Sequence, residues 1–193
     1  MKITIYSTKW SAGKTPIATN MIFDRGYCVW TNEPFHIYDS FLPEENYLSL
    51  DLNDPFPVIP KDVDIVFDLA GSISKTSLSI SSAIKQSDVV IVPIYNEVKS
   101  IKAGLNTIAE VMSLNKNIIV VATKLQKKKK TDMFAEWDKC DDFINVKSAV
   151  HSNFSESIPV LPLKFSSVFD AIFEQEKSIA QLMEQSWLAK YQY

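Results

Sequence analysis

Three short apolar runs constrain this chain more than any other feature. They are Asp64-Ile65-Val66-Phe67-Asp68-Leu69, Asp88-Val89-Val90-Ile91-Val92-Pro93-Ile94 and Asn117-Ile118-Ile119-Val120-Val121-Ala122. A strand with one wet face alternates apolar and polar residues; a run that does not alternate is covered on both faces, as in a parallel sheet. Further strands are predicted at 2–6, 27–31 and 158–165, and helices at 14–23, 73–86, 98–115, 132–149 and 167–190. Strands alternating with helices give right-handed crossovers. The predicted fold class is therefore α/β, a doubly wound, mostly parallel sheet with helices on both faces. Residues 32–61 depart from this pattern: Pro34, Pro43, Pro55, Pro57 and Pro60 leave room for at most a short strand at 47–52. We read the segment as a functional or edge excursion rather than a linker.

With 193 residues, 46% of them hydrophobic, the chain suffices for one substantial core, so a single domain over 1–193 is expected. The net charge of −3 argues against a wholly basic nucleic-acid binder but leaves room for a local basic patch. Two cysteines, Cys28 and Cys140, are too few and too far apart for a disulfide or metal framework, which fits a reduced, cytoplasmic setting. No signal-peptide pattern and no bilayer-spanning apolar stretch is visible. The end, Leu188-Ala189-Lys190-Tyr191-Gln192-Tyr193, carries one lysine and lacks the basic amphipathic character of a membrane-binding helix.

In an open parallel sheet, ligands bind beyond the carboxyl ends of the strands. The segment Ser7–Gly13 lies there, between the first strand and the first helix. A phosphate at that helix N-terminus would meet unpaired backbone N–H groups and the positive end of the helix dipole. Lys14 would add a charge toward the β- and γ-phosphates, and Thr15 a hydroxyl for Mg²⁺. The pattern G-x-x-x-x-G-K-[ST] asks for glycine at position 8, where Thr8 stands. On these residues alone an incidental Gly-Lys-Thr stays open. Asp68 ends a buried apolar strand, where a carboxylate is rarely used for packing and a Mg²⁺-linked water is its natural partner.

Lys9-Trp10-Ser11-Ala12-Gly13-Lys14-Thr15 resembles the deviant phosphate loop of the ParA/MinD family, K-G-G-x-G-K-[ST], with Lys9 on its signature lysine. Asp68-Leu69-Ala70-Gly71-Ser72-Ile73-Ser74 resembles the strand-end aspartate and switch of small ParF-type plasmid-partition ATPases. Ser87–Ile94 and the stretch from Leu161 through Ile179 are similar to later strands and loops of that family, so the resemblance spans nearly the whole chain. It implies an ATPase that binds ATP with Mg²⁺ and forms a homodimer around two nucleotides. It also implies that the dimer binds non-specific DNA and is stimulated by a centromere-binding adaptor, and hence a nucleoid-associated protein. Lys9 would reach the partner's nucleotide, easing repulsion between two triphosphates and tying dimerisation to the γ-phosphate. Nucleotide contacts are implied for Lys9, Trp10, Ser11, Ala12, Gly13, Lys14, Thr15, Pro16, Thr123, Pro162 and Lys164, with Thr15 and Asp68 at the metal.

Trp10 and Ser11 replace two glycines, and Pro16 replaces a threonine. The family's second strand ends in D-x-D-P-Q; here it reads Val29-Trp30-Thr31-Asn32-Glu33-Pro34. Alignment on the proline gives Glu33 the water-orienting role, and alignment on the strand leaves Asn32. Catalytic roles are thus assigned to Lys9, Lys14, Glu33 and Asp68. Lys127-Lys128-Lys129-Lys130 is either a solvated loop or the DNA surface of an ATP-dependent dimer. His36 and His151 read as ordinary histidines. The serines 72 to 82 lack a nucleophile elbow. The stripe of Phe165, Val168, Phe169, Ile172, Phe173, Ile179, Leu182, Met183 and Trp187 reads as core. Two alternatives stay open: a nucleotide-dependent dimerisation switch with little hydrolysis, and a related protein that positions a protein cluster.

Overall fold

The computed structural model describes residues 1–71, 77–126, 136–154, 156–164 and 168–185, with side chains at 168 and 169 excepted. The strands are β1 (Lys2–Ile5), β2 (Cys28–Thr31), β3 (Tyr47–Ser49), β4 (Ile65–Asp68), β5 (Val89–Tyr95), β6 (Ile118–Leu125) and β7 (Val160–Lys164). The helices are α1 (Lys14–Arg25), α2 (Leu78–Gln86), α3 (Val98–Met112), α4 (Asp141–Asn153), α5 (Val168–Gln175) and α6 (Ile179–Gln185). All strand pairs are parallel, in the order β3-β2-β4-β1-β5-β6-β7. The fold is the α/β class that the apolar runs predict.

Those runs are buried on both faces because their side chains alternate between two cores. Ile65 and Phe67 of β4, with Val90, Val92 and Ile94 of β5, pack with Ile80 and Ile84 of α2, Ile108 of α3 and Val146 of α4. Val66, Val89 and Ile91 point the other way, with Ile3, Ile5, Val29 and, from α1, Ala18 and Ile22. Each fully buried Val, Ile or Phe side chain among them contributes about 1.5–3 kcal/mol relative to exposure. Gly104 lets α3 seat closely on β5: a Cβ there would lie 2.3 Å from Cδ1 of Ile94.

Several boundaries differ from the sequence reading. The helix expected at 167–190 is two helices on the described residues, broken where Glu176 turns left-handed (φ 51°). Their Ile172, Ile179 and Leu182 form a small third core against Phe23 of α1. Of the helix expected at 132–149, residues 132–135 lie outside the described residues, and on the described ones a 3-10 turn at Trp137–Lys139 precedes α4 at Asp141. The proline-rich excursion supplies edge strand β3 and, before it, a 3-10 turn at Tyr38–Ser40 that runs back to the sheet's carboxyl end. Lys127–Lys130, Ser72, Ser74, Phe165 and Trp187 lie outside the described residues. Among the described residues no helix is long and apolar enough to cross a membrane.

Candidate functional site

Register brings the site together. Ile5 of β1 and Thr31 of β2 both pair with Asp68, so the ends of three adjacent strands lie level. The chain leaves β1 there as the Ser7–Gly13 loop and enters α1 at Lys14. Gly13 caps the helix in the left-handed region (φ 94°), which costs a glycine nothing. Ser11 takes φ 57°, the conformation that the missing glycine would supply, and is one of three non-glycine residues with positive φ among those described. Such backbone strain costs on the order of 1 kcal/mol and is characteristic of ligand loops. Trp10 does not need it; its side chain is 66% exposed and turns outward at the rim. Pro16 sits in the first turn of α1, where no intrahelical N–H bond is lost.

Neighbouring elements hold the loop from outside. The Thr8 N–H donates to Thr107 Oγ1 of α3 at 3.2 Å, and its hydroxyl reaches the Ala103 carbonyl at 3.3 Å. Thr123, at the end of β6, donates its hydroxyl to the Ala12 carbonyl at 3.0 Å. The loop is thereby fixed with its concave side toward a cavity of about 420 Å³.

Trp10, Ser11, Ala12, Gly13, Lys14, Thr15, Pro16, Glu33 and Asp68 all line that cavity. The Lys14 ammonium, buried at 6% exposure, stands 3.7 Å from a Glu33 carboxylate oxygen. Glu33 is set by its own N–H, which donates to Thr31 Oγ1, while the Thr31 hydroxyl donates to the Asp68 carbonyl. Asn32 is buried and committed elsewhere: its amide donates to Ser79 Oγ and its carbonyl accepts from the Ala70 N–H. Of the two candidates on this segment, Glu33 is the one at the cavity.

Asp68 is the electrostatic centre. Its Oδ2 accepts from the Thr15 hydroxyl at 2.8 Å and from the Tyr38 hydroxyl at 2.7 Å. Its Oδ1 is buried without a hydrogen-bond partner among the described residues. Burial pushes its carboxyl above the ordinary range, opposed by the Tyr38 hydrogen bond, the Lys14 charge and the Thr15 hydrogen bond. Burial, and next the Asp68 charge, likewise raise the Tyr38 phenol well above its usual value. A buried carboxylate oxygen without a donor beside a threonine hydroxyl fits the hydration shell of Mg²⁺, which takes few protein ligands and keeps several waters.

The other sequence-predicted residues fall elsewhere. Lys9 does not line the cavity of its own chain; its N–H turns back to Ser7 Oγ. Thr123 braces the loop from behind. Pro162 lines a separate apolar cavity with Ile17, Met21 and Leu163, and the Lys164 ammonium lies 6.0 Å from the Trp137 ring. Neither lines the main cavity. Residues that sequence reasoning missed are Tyr38, Phe35, His36, Ile37 and Lys124, all on its wall. The first four come from the excursion, whose composition marks it as irregular but gives no period to say which side chain turns inward.

No protein-family model matches the sequence, and no curated protein matches it. Solved structures do match in shape over most of their length. A complex of a Cyanothece McdA variant with ATP superposes with a TM-score of 0.60 at 15% identity, over 94% of this chain and 90% of that one. The MinD cell division protein of Aquifex aeolicus gives 0.56 at 16%, over 97% and 92%. A plasmid partition protein of Borrelia burgdorferi gives 0.50 at 16%, over 96% and 99%. The chain has the fold of the ParA/MinD-like P-loop ATPases.

Proposed function

We propose that this protein is an ATP-dependent switch of the partition type. It binds ATP with Mg²⁺ at the Ser7–Thr15 loop, dimerises around the nucleotide and hydrolyses it slowly. The observation that carries the reading is the convergence of Lys14, Thr15 and Asp68 on one cavity at the carboxyl ends of β1 and β4. Loop N–H groups and the α1 N-terminus suit a triphosphate's charge, and Lys14 supplies a buried cation at the cavity, held 3.7 Å from Glu33 and too far for a direct hydrogen bond to it. Mg²⁺, when bound, would neutralise charge between the β- and γ-phosphates, held by Thr15 and facing Asp68.

Lys9 supports the dimer. A lysine that opens the loop yet does not line its own chain's cavity suits a partner's nucleotide, as the family resemblance implies. Glu33 is proposed to orient the attacking water, a role for which its place beside Lys14 is suitable. The ATP dimer is proposed to bind DNA without sequence preference through Lys127–Lys130, with a centromere-binding adaptor stimulating turnover. The likeness to a plasmid partition protein and to a cell division protein supports a segregation or positioning role.

Steady-state ATP hydrolysis with and without non-specific DNA tests the reading. Slow basal turnover that requires Mg²⁺ and rises on DNA supports it. ATP binding and dimerisation with no turnover under any condition would replace it with the hydrolysis-poor switch.

A further inference from the structure

The cavity residue with no counterpart in the phosphate-loop pattern is Tyr38. It follows the β2 end by seven residues, in a stretch that sequence marks only as irregular, yet it is 0% exposed. Its ring stacks on His36 at 6.0 Å and meets Phe41 edge-on at 5.8 Å, which fixes the phenol's direction. A buried tyrosine hydroxyl usually finds some partner. Here the partner is the cavity's strand-end carboxylate.

The geometry at that carboxylate is asymmetric. Oδ2 takes two hydroxyl donors, Thr15 at 2.8 Å and Tyr38 at 2.7 Å. Oδ1 takes none among the described residues. Two donors on one oxygen lock the rotation of the carboxyl plane, and they leave the other oxygen as the available acceptor. Thr15 can donate its proton to Asp68 while its oxygen lone pairs serve a cation, so that bond survives metal binding. The Tyr38 bond comes from a separate segment, the excursion, and asks nothing of the cation.

Resting on the proposed nucleotide reading, we infer that Tyr38 is a positioning residue for the cation: by saturating Asp68 Oδ2 it presents Oδ1 to the water shell of Mg²⁺. The excursion 32–61 thereby has a reason to turn back over the sheet end. Partners that orient a metal-facing carboxylate commonly contribute about 10–100-fold to metal affinity.

The test is Tyr38→Phe in the full chain. Phenylalanine keeps the ring contacts to His36 and Phe41 and removes only the hydroxyl. ATP affinity is measured calorimetrically with Mg²⁺ and with EDTA, for wild type and variant, and Mn²⁺ affinity of the ATP complex is read by electron paramagnetic resonance. The expected result is unchanged metal-free ATP affinity, with Mn²⁺ affinity and the Mg²⁺-dependent gain both reduced ~10–100-fold. A loss of packing alone would weaken ATP binding equally with and without metal, and that result overturns the inference. Equal Mn²⁺ affinity in the two proteins overturns it too and leaves Tyr38 as core. A wild type that binds no ATP in either buffer overturns the nucleotide reading itself, and this inference with it.

Discussion

The Lys14 ammonium and the Glu33 carboxylate face one another at 3.7 Å inside the cavity, with Lys14 almost wholly buried. The distance is an ion pair without a direct hydrogen bond. On the proposed reading, an arriving γ-phosphate would compete with Glu33 for the same cation, and Glu33 would be the group whose place changes when the nucleotide enters. Its backbone N–H is anchored at Thr31 Oγ1, whose hydroxyl is tied in turn to the Asp68 carbonyl.

Glu33→Gln should therefore separate binding from turnover. Removing the carboxylate takes away a charge that repels phosphate, so ATP affinity is kept or rises several-fold. Hydrolysis falls by about 10²–10⁴-fold, the usual contribution of a positioned base. Turnover assays alongside sedimentation of the ATP-bound variant measure both. Wild-type turnover returns Glu33 to the role of a resting counter-ion.

Lys9→Ala should bind ATP as a monomer. The side chain is absent from its own chain's cavity wall, so its loss leaves the first binding event intact and removes the contact to the other subunit. Analytical ultracentrifugation with a non-hydrolysable ATP analogue distinguishes the cases. A normal nucleotide-dependent dimer would contradict the role in trans.

Asp68 gives a prediction about pH. Its folded-state pKa is raised, burial being the main cause. The folded state thus holds this proton more tightly than the unfolded chain, and the stabilisation is complete below the ordinary carboxylate value. It is lost as pH rises through the folded value. At neutral pH, Asp68→Asn should melt higher than wild type by roughly a few degrees, a difference that shrinks as pH falls through the carboxylate range. The same variant should lose the Mg²⁺-dependent gain in ATP affinity. Melting curves across pH without nucleotide provide the check.

The buried runs made the sheet legible, because continuous apolar residues at 65–67, 89–92 and 118–121 admit few placements other than a covered parallel strand. The loop was legible for a different reason: its chemistry is local, residue by residue along Lys9 to Thr15. Tyr38 was not, since its hydroxyl meets Asp68 thirty residues away and no periodicity in the excursion selects it. The choice between Asn32 and Glu33 was ambiguous in one dimension. Three-dimensional register separates the two in space: Thr31 lies level with Asp68, Asn32 turns inward to Ala70 and Ser79, and Glu33 reaches the cavity. The break between α5 and α6 was hidden because the apolar stripe continues across it.

Replacing Lys127–Lys130 with Ala should weaken non-specific DNA binding and flatten the slope of log affinity against log salt, because fewer phosphates are neutralised. Each lost phosphate contact lowers the slope by about 0.9 on duplex DNA. Fluorescence anisotropy with ATP at several salt concentrations reads both quantities. Unchanged affinity and slope would make the run a solvated loop and put the DNA surface elsewhere.

Calorimetric titration of ATP with Mg²⁺ into wild type and Lys14→Ala reads whether this loop is a working nucleotide site. Loss of one charge-assisted contact of about 1.5–3 kcal/mol predicts affinity weaker by roughly 10–150-fold in the variant. Equal ATP affinity in the two proteins, or no binding by wild type, would mean that the loop is not a nucleotide site built on Lys14.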